Sequence, residues 1–392
     1  VSDDTLATAR PAAEARAGVP PARSLPQRLR GAALPAAVLV ALLALPFYVE
    51  VFWLRIGLFA MAAAVGALGL TILFGAAGQL SLGHAFFVAV GTYGYAFLSG
   101  EEQGHVRGLG LPPLAAAVSA TLLAGLCGLL FSPIAGRLRG IYLGIASLGL
   151  VFLGHHLLLN ARPVTGGYDG RAVEPFSLGG FTFSDASDLI LLRVPFGAVE
   201  SLWYLFLAVT AAATLVARNV LRGRPGRAFR LVRDSEVGAA TMGVRVDRTK
   251  ASAFVLSSMF AGVAGVLTAL AFQRAVPDYF DLHLSIDFLA MIIIGGLGST
   301  SGAIAGATFV IALPIVLARY ADALPLIVGP GQNGLDASIA AQFVYGALVV
   351  AIMLTRPGGL SAMVTAVRDR RARAAPPTPA PTPARDSVRR TP

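Results

Sequence analysis

Ser81 and His84 stand three residues apart, the spacing that puts a hydroxyl and an imidazole on one helix face, where they could act as nucleophile and base. No carboxylate stands beside them in the sequence to orient the imidazole, so catalysis by this pair is not expected. Other reactive arrangements fail on composition. Lys250, the only lysine, is followed by Ala251, whereas a phosphate-binding P-loop needs Ser or Thr there to hold magnesium. The chain therefore carries no ATP site of that kind. None of the five histidines precedes Glu, which removes HExxH, and no Ser sits in GxSxG. Cys127 is the single cysteine, which excludes an intrachain disulfide and a cysteine metal cluster; its apolar neighbours make it a small buried residue. His155 and His156 fall near the end of an apolar run, where an interfacial position suits them better than metal binding. We expect no catalytic residue, no metal and no cofactor, so the protein reads as a non-enzyme.

The elements that must position these polar residues are strongly apolar. Of 392 residues, 56% are hydrophobic and 13% charged, against roughly 25% charged in a soluble domain. With a mean hydropathy of +0.71, the excess apolar surface has to face lipid. The net charge of +10 would suit nucleic acid in a soluble protein, but cytoplasmic loops of membrane proteins also collect Arg and Lys. No nucleic-acid partner is needed. The pattern predicts an all-α polytopic membrane protein with about ten transmembrane segments, some short or re-entrant, each near the ~20 residues that cross ~30 Å of hydrocarbon. They run over 32–49, 53–74, 80–98, 111–131, 141–159, 202–217, 251–272, 284–297, 303–318 and 337–354. The segment 284–297 is short and ends in glycines, as a broken or re-entrant helix does.

Residues 1–31, rich in Ala, Pro and Arg, read as a disordered cytoplasmic tail, and 356–392 as a basic, Pro-rich cytoplasmic tail. Between them, 32–355 forms one transmembrane domain. Its first run lacks a small-residue cleavage site followed by a polar chain, so it reads as an anchor. The loop 218–250 has nine basic residues against three acidic ones, whereas 160–201 has more acidic residues than basic. The positive-inside rule then puts 218–250 and both termini in the cytoplasm.

Glycine and small residues crowd Gly75, Gly78, Ser81, Gly83, Gly91 and Gly94. They allow close helix packing. The alternative is that Gln79, Ser81 and His84, polar groups at a membrane boundary, line a path or steady a joint. Gly140–Gly144 and Gly302–Gly306 are GxxxG spacings that signal packing faces. Asp287 reads as a helix-start acid at an interface. From Gly226 to Val246, Phe229, Val232, Arg233, Glu236, Val237 and Ala240 recur at helical spacing and Gly243 supplies a stop, which predicts an amphipathic helix outside the membrane. Such a helix rests on lipid or docks in a partner's groove; the small residues Ala239, Ala240 and Gly243 favour docking.

Five stretches carry a family resemblance: Gly78-Gln-Leu-Ser-Leu-Gly-His-Ala85, Arg137-Leu-Arg-Gly-Ile-Tyr-Leu143, Thr165-Gly-Gly-Tyr-Asp-Gly170, the Gly226–Val246 loop, and Gly295-Gly-Leu-Gly-Ser299. In this order they resemble the LivM-like permease subunits of bacterial branched-chain amino acid ABC transporters. The resemblance implies a multi-pass permease of the bacterial inner (plasma) membrane that passes branched-chain or related amino acids; urea, short amides and aromatic acids are the neighbouring cargoes. A self-contained secondary transporter is the rival outside this class, and it would need a coupling charge within the spans. The implied partners are a second homologous permease subunit, two ATP-binding subunits, and a periplasmic or lipid-anchored amino-acid-binding protein. The resemblance makes the cytoplasmic loop the coupling helix, with Glu236, Ala239 and Gly243 in the motif's acidic, small and glycine positions and Arg227, Arg230, Arg233 and Ala240 beside them. Gln79, Ser81, His84, Gly295, Gly296 and Gly298 are candidates for the path or a hinge, and Thr165, Gly166 and Gly167 form an outer loop motif.

Overall fold

The computed structural model describes residues 37–102, 106–138, 140–178, 181–183, 189–191, 194–320, 327–328, 335–355 and 359. The tails expected at 1–31 and 356–392 lie outside the described residues apart from Gly359. In the unit that ends at Tyr48, helix α1 (Ala37–Phe47) closes in a 3-10 turn over Leu45–Phe47. The unit from Val49 onward holds the remaining helices.

There α2 (Val51–Leu70) runs into a π-helical turn over Thr71–Ala76, and α3 (His84–Ser99), α4 (Pro113–Arg137), α5 (Ile141–Asn160) and the single turn α6 (Arg162–Thr165) follow. After a loop with short strand pairs come α7 (Ala198–Arg222), α8 (Arg224–Asp234), α9 (Glu236–Thr241), α10 (Val246–Phe272), α11 (Leu282–Gly295), α12 (Thr300–Arg319) and α13 (Ala337–Thr355). Among the described residues six helices are long and apolar enough to cross a membrane: α2 with its π turn, α4, α5, α7, α10 and α12. The other four apolar runs carry α1, α3, α11 and α13.

Two of the six are enclosed by protein. The most apolar stretches of α2 and α10 are 83% and 78% buried, while those of α5 and α12 are 28% buried. Leu122, Leu126 and Leu130 of α4, with Ile145 and Phe152 of α5, point outward. Contiguous apolar faces of this kind suit lipid and not water.

Small residues let the central helices meet. α2 and α10 run antiparallel, Gly66 facing Ala264 and Gly69 facing Phe260. On α10, Gly262 lies against Gly91 of α3, where any Cβ would meet the Gly262 carbonyl, and Thr92 Oγ1 donates to the Gly265 carbonyl at 2.8 Å. Gly302 and Gly306 of α12 pack against Gly295 and Met291 of α11, as the GxxxG spacing predicted. The other GxxxG is split: Gly144 packs against Leu80, whereas Gly140, capping α5 with a φ of +56°, has open space around it among the described residues.

The short segment near 284–297 is helix α11, 14 residues and about 21 Å long. Its cap is Asp281, whose side chain accepts from the Leu284 N–H at 3.2 Å. Asp287 therefore lies more than a turn inside the helix and is not its starting acid.

Candidate functional site

The predicted loop helix is two helices. Ser235 has an extended backbone (φ −161°, ψ 115°) and caps α9 by accepting from the Gly238 N–H at 3.0 Å, which ends α8 at Asp234. A Ser at this position competes with helix continuation through that bond. Gly243, with φ +80°, stops α9 as expected. Arg230 donates to the Leu221 carbonyl at 3.0 Å, so a cation stands at the C-terminus of α7 and fixes the α7–α8 corner; Arg227 lies on the same corner, near the Arg222 carbonyl.

Two side chains then tie the loop to the membrane helices. Arg233 Nη1 donates to the Gly75 carbonyl, in the π turn of α2, at 2.8 Å, while Asp234 accepts from its Nε at 3.1 Å. Glu236 pairs with Lys250 at 2.5 Å, and the Lys250 side chain is only 5% exposed. The lone lysine thus joins α9 to the first turns of α10. Phe229, Val232 and Ala239 face inward, whereas Val237, Ala240, Met242 and Gly243 are exposed. The outward surface of α9 thus presents Val237, 73% exposed, with Ala240 and Met242, and exposed Arg227, Arg230 and Arg233 flank it on α8.

Gly75 is where separated parts of the sequence meet. A Cβ on it would strike the backbone of Gly298, and one on Gly78 would strike the Arg233 side chain. Gly78 also has φ +69°, which an L side chain adopts only at a cost. The 296–299 link between α11 and α12, the end of α2 and the loop helix α8 consequently converge at one place. Gly296 has φ +108°, and Ser299 caps α12 by accepting from Gly302 N–H at 3.1 Å.

From this junction residues 77–83 return alongside α2 without helical structure. His84 Nε2 donates to the Gly66 carbonyl at 3.0 Å, ten residues up the helix from Ala76. The ring also lies edge-on to Phe288, 4.7 Å between centroids. Non-helical backbone at this depth needs partners within the protein. Serines supply them: Leu82 N–H donates to Ser147 Oγ at 2.8 Å, Ala85 N–H to Ser285 Oγ at 3.1 Å, and Gly83 N–H to Ser81 Oγ at 3.3 Å. Ser81 and His84 are thus both engaged with backbone, not with each other. Gln79 differs, being 4% exposed with both amide atoms unpartnered among the described residues.

Thr165, Gly166 and Gly167 lie at the far end of α5, away from Gly75. Thr165 Oγ1 donates to the Leu158 carbonyl at 2.6 Å and accepts from the Gly167 N–H at 3.2 Å, and the glycines turn the chain with φ +78° and +64°. Just beyond, Arg171–Ala172 pairs antiparallel with Arg274–Ala275 at the end of α10. Sequence reasoning missed Lys250, Ser147, Ser285 and Arg171 as site residues. Lys250 carried a signal, as a single lysine in a chain otherwise using Arg; the serines carried none.

The family model described as branched-chain amino acid transport system / permease component matches residues 52–353. The chain is 32% identical over 341 residues to the high-affinity branched-chain amino acid transport system permease protein LivM of Salmonella typhimurium, covering 83% of this chain and 74% of that protein. It is 31% identical over 338 residues to LivM of Escherichia coli, with the same coverage. It is 23% identical over 307 residues to the permease protein LivH of Escherichia coli, covering 76% of this chain and 90% of that one. No solved structure matches.

Proposed function

Because the chain belongs to the branched-chain amino acid transport system permease family, it is a membrane permease subunit and not an enzyme, and we propose that it forms a path for branched-chain or related amino acids across the bacterial inner membrane. In this reading the ten apolar helices all cross or enter the bilayer with both termini in the cytoplasm, and a second homologous permease completes the path. Of two ATP-binding subunits, one docks on the 218–250 loop and the other on the second permease, and a periplasmic or lipid-anchored binding protein delivers substrate to the opposite face.

The observation that carries the reading is the Arg233–Gly75 hydrogen bond, which links the exposed loop helix directly to the end of α2. ATP-driven approach of the docked subunits would pull on α8 and α9. Arg233 and the Glu236–Lys250 pair would pass that displacement to the π turn of α2 and to α10. Gly75 and Gly298 let their backbones slide past each other without side chains between them, Gly78 leaves room for the Arg233 side chain, and Gln79 presents an amide unpartnered among the described residues. The transporter is thus a two-state element that ATP biases from one side and loaded binding protein from the other. Few charges line the spans, as suits a cargo whose side chain is apolar.

The test is leucine uptake and ATP hydrolysis in proteoliposomes holding the complete transporter. Arg233→Ala should leave assembly and basal ATP hydrolysis intact but lower uptake per ATP by about tenfold, a coupling loss of ~1.4 kcal/mol. Parental uptake per ATP in Arg233→Ala refutes the proposed transmission.

A further inference from the structure

At the end of α10 opposite the loop helices, a cavity of about 230 Å³ is lined in part by Glu101, Gly170, Arg171, Glu174 and Arg274. It lies outside the membrane helices, where their ends, the 166–174 turn and the Arg274–Ala275 strand meet.

Arg171 is its unusual wall. The residue is 5% exposed and held from behind, Nη1 donating to the carbonyls of Val164 at 2.7 Å and Arg107 at 3.0 Å. Among the described residues its Nε is buried without a hydrogen-bond partner. The Tyr93 hydroxyl, within electrostatic reach of this guanidinium, is likewise buried and unpartnered. A buried charged donor left unmade is costly, so a built site of this kind calls for an acceptor. Burial disfavours the Arg171 cation, and Glu174 opposes that effect. Gly170 fixes the direction of the strand, since its φ is +64° and a Cβ would strike the Ala275 carbonyl. Arg274 is committed elsewhere, both its Nε and Nη2 donating to the Asp169 carbonyl.

The wall thus offers the Arg171 Nη2 group, which makes no hydrogen bond among the described residues, together with two acidic residues, Glu101 and Glu174. A simple anion would be repelled by the glutamates, and a simple cation by the arginines. A solute with a carboxylate and an ammonium one carbon apart satisfies both. The volume falls below the ~300 Å³ at which drug-sized pockets begin, which suits one small solute. We propose that this cavity binds a free zwitterionic amino acid, its carboxylate accepting from Arg171 Nη2 and its ammonium directed to Glu101 and Glu174. It is a station on the face opposite the coupling loop, and it rests on the permease reading above. The polar wall recognises the head group and not the side chain, so leucine, valine and alanine bind alike.

Binding is measured by isothermal titration on the full chain in lipid nanodiscs, with L-leucine, L-leucinamide, 4-methylpentanoate and acetate as probes. Leucine should bind saturably, and leucinamide and 4-methylpentanoate at least about tenfold more weakly, as losing one charged hydrogen bond gives. Arg171→Gln also removes two structural bonds, so Glu174→Gln carries the test. It should weaken leucine about tenfold while leaving 4-methylpentanoate unchanged or tighter, a split that general unfolding does not produce. Absence of leucine binding, or acetate binding as well as leucine, overturns the proposal. Uptake by the complete transporter is run in parallel: uptake without binding to the chain removes the cavity alone, and no amino-acid uptake removes the permease reading for that cargo.

Discussion

The Glu236–Lys250 pair is open to a sharp perturbation. Its charges are 2.5 Å apart, which at an effective dielectric of ~20 corresponds to about 7 kcal/mol of gross attraction. Desolvation of both groups offsets most of this, and Lys250 is nearly fully buried while Glu236 keeps 23% of its side chain exposed. The informative comparison is therefore between breaking the pair and removing it. Glu236→Gln leaves an ammonium in an enclosed site, which typically costs ~3–5 kcal/mol; the partial exposure of Glu236 puts the expectation near 3. Glu236→Gln with Lys250→Met removes both charges and should return to within ~1 kcal/mol of the parent. Thermal unfolding of the purified protein in detergent reads the difference as a drop of roughly 5 °C or more for the single variant, largely recovered in the double. The double variant should also retain most leucine uptake, because the exposed Val237, Ala240, Met242 and Gly243 surface is untouched. If the single variant melts with the parent, or the double melts as low as the single, the pair does not pin α9 to α10.

Other perturbations test neighbouring steps. Gly78→Ala places a Cβ against the Arg233 side chain at a φ of +69°; strain of ~1–2 kcal/mol and loss of the bond to Gly75 should lower stability by about 3 kcal/mol, and a melting temperature equal to the parent's would contradict the junction. Val237→Glu with Met242→Glu should leave unfolding unchanged but abolish co-purification with the ATP-binding subunits; retained co-purification places the docking surface elsewhere. Topology is read from Tyr168→Cys and Val237→Cys, each made without Cys127: both sites are exposed, and membrane-impermeant thiol reagents should reach them from opposite sides of sealed vesicles. Labelling of both from one side contradicts the proposed orientation.

The helices were legible because lipid demands long apolar runs, and each of the ten runs contains one. Boundaries were less so. α3 begins at His84 and not at Leu80, because Leu82 N–H bonds Ser147 and Ala85 N–H, in the first turn of α3, bonds Ser285, partners far away in sequence. Periodicity made 226–240 one helix, but the Ser235 side chain divides it. The convergence on Gly75 was hidden for the same reason: Arg233 lies 158 residues away, and nothing local marks Gly75 among its neighbouring glycines. Lys250 was read for the P-loop it does not make, while the carboxylate it pairs with was assigned to a partner. Composition records which residue types are scarce; only the packed structure shows which of them are buried together.

The two central helices differ in a way that bears on how such a subunit moves. α10 runs 27 residues, about 40 Å, without an interior proline, from the Lys250 pair to Gln273, whose φ of 57° turns the chain towards the Arg274 strand at the cavity. α2 ends instead in a π turn and the irregular 77–83 stretch. A regular helix transmits displacement along its axis, whereas a π turn and a non-helical segment have weaker hydrogen-bond ladders and yield first. Under the proposed coupling, a pull on α8 and α9 would reach the far end through α10 with little loss and be taken up as deformation at the end of α2, where Arg233 is attached. An importer that opens alternately to two faces needs both properties, one element holding its ends in register and another letting the path change width. The glycines at 75, 78 and 298 sit on the yielding element, and the ion pair sits on the stiff one.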